Sequence, residues 1–219
     1  MSGQGIFNVV VVARNFNPTF FSQLWFLKIE VFPEGDLKDN FIYTPMAVSL
    51  TTPEVAFLAV PDRIQLGFAG DKPNYSKLID RILGAIVQKL PHTPFQAVGF
   101  NMTWNLLAKN SDEFSRVNRQ LFLSSENPLA KSSAEADCRF GFYLSKNLAM
   151  GRMRLDIKPM IAAPVGTVGT EGLQLNFNFN RDLQEESKIE VILEFLQSWD
   201  MALSLSSDMV KAVGRTWSS

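Results

Sequence analysis

Leu173-Gln174-Leu175-Asn176-Phe177-Asn178-Phe179-Asn180 puts an apolar side chain at every second residue and an amide between each pair. That period is a strand's, with one side dry and the other wet. Past Arg181 the period changes. Ile189, Ile192, Leu193, Leu196, Trp199 and Leu203 recur at spacings of three and four, the stripe of an amphipathic helix. Ser187 and Glu190 have the spacing of a capping box, and Gly214 stands where a helix commonly stops. A strand and a long helix, each apolar on one side, remove that surface from water by packing together, so the helix is expected to lie across the sheet.

The rest of the chain repeats this vocabulary. Val9-Val10-Val11-Val12 centres a strand over 6–16 of the kind buried on both faces. Further strands are expected over 20–32, 41–50, 55–60 and 63–68, with Pro45 and Pro53 placing the middle pair at an edge or at a bulge. Asn74 caps a helix whose stripe runs from Tyr75 to Leu90, and Pro91 ends it. Val98, Phe100, Met102, Trp104 and Leu106 alternate with Gly99, Asn101, Thr103 and Asn105 as a second clean strand. A shorter helix over 112–122, capped by Ser111, leads to a loop over 124–137. A hairpin of 139–145 with 152–160 then turns at Lys146-Asn147. Gly166 and Gly169 mark a flexible connection into Leu173.

The expected fold is therefore α+β, an antiparallel sheet of about eight strands with two main helices packed on one face. It forms one domain over 1–219. Ile64-Gln65-Leu66-Gly67-Phe68 before one helix parallels Leu173-Gln174-Leu175-Asn176-Phe177 before another, which divides the chain into two related halves, 1–95 and 96–219.

Composition excludes several functions. With 21 basic and 22 acidic residues the formal charge is −1, so no summed field draws in a nucleic acid. Apolar runs fall far short of the roughly 18 residues that cross a membrane. One cysteine, Cys138, and one histidine, His92, make no zinc site of common ligand type, and no phosphate loop is present, so no cofactor or metal is expected. Absence of a signal peptide and of a disulfide pair reads as cytoplasmic. Eighteen phenylalanines and eight methionines load the core heavily. Arg152, Arg154 and Lys158, with Asp156 among them, read as a solvated face.

The least ordinary feature is the neutral polar side of the strands. Charge is what normally keeps a solvent face from sticking, so Asn101, Asn105, Asn176 and Asn178 mark an expected partner surface. Trp104 and Trp199 join them as aromatic candidates. The expected function is a non-catalytic interaction or assembly subunit, chaperone-like or antitoxin-like, binding a protein partner or forming a homo-oligomer. The alternative is an enzyme or small-ligand protein with a pocket between sheet and helices lined by Trp104, Trp199 and Phe195.

Asn15-Phe16-Asn17-Pro18 near an early strand, Val60-Pro61-Asp62-Arg63-Ile64-Gln65-Leu66 leading through Tyr75 into a helix, and the strand on Val98-Gly99-Phe100 carry a resemblance. With the closing strand and helix, this order resembles a sporadically distributed family of uncharacterised bacterial proteins that is similar in fold to the SecB chaperone. Asn101 departs from that family's pattern, which has a basic residue there. The resemblance implies an antiparallel sheet backed by long helices and a binding or assembly role, in a mobile-element or defence context.

Overall fold

Nine strands form one antiparallel sheet, in the order β2-β3-β4-β5-β1-β6-β9-β8-β7. The computed structural model describes residues 4–69, 74–123, 135, 137–162, 169–184 and 188–217. The strands are β1 (Gln4–Ala13), β2 (Phe41–Tyr43), β3 (Val48–Thr51), β4 (Val55–Val60), β5 (Arg63–Phe68), β6 (Phe95–Leu107), β7 (Phe142–Leu148), β8 (Gly151–Ala162) and β9 (Thr170–Asp182). The helices are α1 (Gln23–Lys28), α2 (Glu34–Asp39), α3 (Tyr75–Ile79), α4 (Ala85–Gln88), α5 (Ser111–Phe122), α6 (Lys188–Gln197) and α7 (Trp199–Arg215). A π-helical turn (Asp80–Gly84) joins α3 to α4, so the expected helix from Tyr75 is one continuous rod.

Period two sorts the side chains of every central strand. Val9 and Val11, Phe100 and Met102, and Leu175, Phe177 and Phe179 lie on one face at 0–1% exposure. Helices α6 and α7 pack there through Ile192, Phe195, Leu196, Trp199, Ala202 and Val210. The α+β class follows, with more helices than the two main ones expected. Burying these Phe and Leu side chains is worth about 1.5–3 kcal/mol each before conformational entropy is charged against it.

Several local expectations change. Residues 20–32 hold the short helix α1 in place of a strand: Ser22 Oγ accepts from Trp25 N at 3.2 Å and starts it. Phe21 and Phe26 stack on each other and meet Phe57 of β4 edge-on at 5.4 and 5.3 Å between ring centroids. A strand there would have split these rings between two faces; the helical turn brings both onto the sheet. Residues 41–50 form two short strands about a turn at 44–47, where Thr44 and Ala47 exchange hydrogen bonds.

The β7–β8 hairpin turns at Ala149-Met150, since Leu148 pairs with Gly151. Gly151, the first residue after the turn, has a φ of 152°, a conformation that favours glycine. Asn110, not Ser111, caps α5, its side chain accepting from Glu113 N at 2.8 Å. The final helix breaks at Ser198, whose Oγ and N–H both donate to the Phe195 carbonyl, and it runs past Gly214 to Arg215. The capping box at Ser187, most of the 124–137 loop and Gly166 lie outside the described residues.

Candidate interaction face

The same alternation that buries one face of the sheet leaves the other uncovered among the described residues. Strand β1 contributes Ile6, Asn8, Val10 and Val12 to this open face, and β6 contributes Ala97, Gly99, Asn101, Thr103, Asn105 and Leu107. Strand β9 adds Gly172, Gln174, Asn176, Asn178, Asn180 and Asp182. Asn8, Asn101 and Asn178 stand side by side in register and form a ladder. Asn178 Nδ2 donates to Asn101 Oδ1 at 2.8 Å, and Asn101 Nδ2 donates to Asn8 Oδ1 at 2.9 Å.

One row further, Thr103 Oγ1 donates to Asn176 Oδ1 at 3.0 Å. Gln174 Nε2 donates to Asn105 Oδ1 at 3.3 Å, and Asn176 Nδ2 to Gln174 Oε1 at 3.2 Å. Each amide thus satisfies its neighbour and still holds unused donors or acceptors toward solvent. Cross-strand polar pairs of this kind contribute roughly 0.2–1 kcal/mol each.

Toward β4 the face turns apolar, with Ala56, Leu58 and Val60 beside Arg63, Gln65 and Gly67 of β5. Across β4, β5, β1, β6 and β9, Arg63 and Asp182 are the charged residues described on the open side. Charge gathers instead at β8, where Arg152, Arg154, Asp156 and Lys158 project the same way. Lys158 pairs with Asp156 at 4.0 Å, and Arg152 Nε donates to Ser145 Oγ at 2.8 Å. The centre of the face is neutral and its β8 margin is basic.

Of the residues singled out in the sequence, Asn101, Asn105, Asn176 and Asn178 come together on this face. Trp104 and Trp199 lie on the opposite, helix-covered side. Trp199 is 0% exposed, ringed by Phe7, Phe68, Tyr75 and Phe100 at 5.0–6.4 Å between centroids. Trp104 packs on Phe7 at 4.9 Å, and Phe195 on Phe100 at 4.4 Å. Side chains therefore occupy the space that a pocket lined by Trp104, Trp199 and Phe195 would need. The six candidates do not form a single surface, because Trp104 has the opposite parity to Asn101 and Asn105 on β6 and Trp199 lies on α7 inside the core.

Asn8, Val10 and Val12 are members of the face that the sequence concealed. The unbroken valine run looks dry on both sides, yet Val10 and Val12 are half-exposed while Val9 and Val11 are buried. Asn8, just ahead of the run and in phase with Val10 and Val12, is the signal that gives the wet side away.

Cavities lie elsewhere among the described residues. One of about 290 Å³ lies between the π-turn and α6, lined by Ser76, Asp80, Leu193 and Gln197 among others. Another of about 360 Å³ is lined by Asn17, Phe20, Lys89 and His92 among others, near the end of α4. Cys138 Sγ lies 3.5 Å from Glu135 Oε2. Burial, then the hydrogen bond and charge of Glu135 and the charge of Asp137, push this thiol above its ordinary value against the pull of Arg119, the opposite of what an activated nucleophile needs. Among the described residues no three His, Cys, Asp or Glu side chains are grouped to hold a metal, and no helix is long and apolar enough to cross a membrane.

Comparison with protein-family models, with curated proteins and with solved structures finds no match.

Proposed function

We propose that this protein is a non-catalytic interaction or assembly subunit that holds a polypeptide against the open face of its sheet. The observation that carries the reading is the neutral centre of that face: five adjacent strands whose outward side chains are amides, hydroxyls and small apolar groups, with charge confined to Arg63 and Asp182. A face meant only for water carries Lys and Glu across its middle. Depletion of charge at the core of a patch with polar groups at its rim is the composition of an interface.

A chaperone-like or antitoxin-like role is one form of this function, and it accords with the SecB-like resemblance read from the sequence. The strand order supports a further element of the proposal, two related halves. Outward from the β1–β6 seam the chain runs β5-β4-β3-β2 on one side and β9-β8-β7 on the other. Each half starts with a seam strand, returns through a meander to pair with it, and closes with helix. A single cysteine fits a reducing compartment such as the cytoplasm.

Site-specific photo-crosslinking tests the reading. A photoreactive residue in place of Asn178 should form covalent polypeptide adducts, and one in place of Asp208, on the exposed side of α7, should not. Adducts from the α7 position with none from the sheet would refute it.

A further inference from the structure

At the end of the sheet where β1 leaves and β6 enters, we propose a binding site for a small aromatic carboxylate, in the cavity of about 360 Å³ near the end of α4. Its walls come from segments 14–17 and 91–94, and the backbone ties the two together: Arg14 N–H donates to the Pro94 carbonyl at 3.1 Å. Phe16 N–H donates to the Pro61 carbonyl at 2.8 Å, so Asn15 is held between two anchored neighbours at a φ of 51°, in the left-handed region. On the facing wall Pro91 and Pro94 fix their own φ, and Thr93 N–H closes a turn on the Leu90 carbonyl at 3.1 Å. The concavity is thus preformed, as small-molecule sites usually are.

The lining selects the occupant. One side is aromatic, from Phe16 and Phe20. Phe20 stays 47% exposed although its ring meets Trp25 edge-on at 5.2 Å, which leaves ring surface for another aromatic group. Lys89 and His92 line the cavity and no carboxylate does, whereas the cavity between the π-turn and α6 carries Asp80. An anion is therefore the favoured guest here, held by the charge-assisted hydrogen bonds that are the strong ones. The side chains of Asn15, Lys89, His92 and Thr93 have no hydrogen-bond or ion-pair partner among the described residues, so an amide, an ammonium, an imidazole and a hydroxyl are all free to meet it. A single lysine matches a single negative charge, a carboxylate rather than a phosphate dianion. The volume sits near the lower end of the roughly 300–1,000 Å³ of ligand pockets, room for a fused ring pair and not for a dinucleotide.

Isothermal titration calorimetry on the full chain tests the assignment with naphthoate, its uncharged analogue naphthylmethanol and its saturated analogue decahydronaphthoate. Naphthoate should bind saturably, and each analogue about tenfold more weakly for want of the charge-assisted contact or of the aromatic one. Lys89→Met should weaken naphthoate by a similar factor and leave naphthylmethanol unchanged. Phe20→Leu should remove the preference for naphthoate over its saturated analogue. Both side chains are exposed, so the fold does not depend on them, and Lys158→Met on β8 should leave every affinity unchanged.

No saturable naphthoate binding up to millimolar concentration would overturn the proposal. So would binding that survives Lys89→Met undiminished, or that Lys158→Met weakens as much, since either places the ligand elsewhere. Equal affinity of the wild type for naphthoate and naphthylmethanol would overturn the carboxylate assignment.

Discussion

Asn118, at 1% exposure in the middle of α5, spends both ends of its amide on one backbone residue. Its Nδ2 donates to the Phe140 carbonyl at 2.7 Å and its Oδ1 accepts the Phe140 N–H at 2.8 Å, pinning the segment that leads into β7. Asn118→Ala removes both of these partly buried hydrogen bonds, and should cost about 1–3 kcal/mol, read as a lowered urea midpoint. Glu171 offers a second residue-scale test. Burial raises its carboxyl pKa, but the hydrogen bonds of Arg139, with Nε 3.0 Å from Oε1, and of Ser111, together with the charge of Arg139, outweigh this and hold it below the ordinary 4.5. A depressed folded value means that the pair stabilises fully above about pH 4.5 and loses that contribution as the pH falls through the lower folded value. Urea midpoints measured from neutral pH down to pH 3 should therefore fall more steeply in the wild type than in Glu171→Gln.

At the scale of elements, β6 and β9 leave no room for a side chain at Gly99. A Cβ at Gly99 would lie 2.9 Å from the Phe179 carbonyl oxygen, whereas one at Gly67 would have nothing nearer than 3.7 Å. Gly99→Ala should accordingly destabilise by about 1–3 kcal/mol through overpacking against backbone. Gly67→Ala should be neutral or stabilise by up to about 1 kcal/mol, since strand glycine is entropically costly. Thermal unfolding of the two variants side by side checks the contrast. Elements also mark where sequence reading stopped. Leu173 to Asn180 and Val98 to Leu106 were legible because alternation persists over many residues. Residues 20–32 were not, because Phe, Trp and Leu are too dense there for either period to stand out, and the decisive contact is with Phe57 in another element.

Across the whole molecule, stability should grade outward from the seam between β1 and β6. Both seam strands are paired on two sides and roofed by helices, while β2 and β7 each pair on one side among the described residues. Hydrogen exchange followed by mass spectrometry should find the slowest amides in β1, β6 and β9, and exchange faster by orders of magnitude in β2 and β7. Protection of β7 equal to that of β6 would contradict this grading. Taken alone, the sequence determined which side of β6 and of β9 is dry and which is wet, and that the closing helix has a stripe to bury, because periodicity is a local property of side-chain direction. Tertiary structure alone decided that Asn8 joins Asn101 and Asn178 in one ladder, that Trp199 belongs to the core, and that the wet side of the sheet stays open among the described residues. Those facts depend on which distant strands become neighbours, and no window of sequence contains both partners of such a contact.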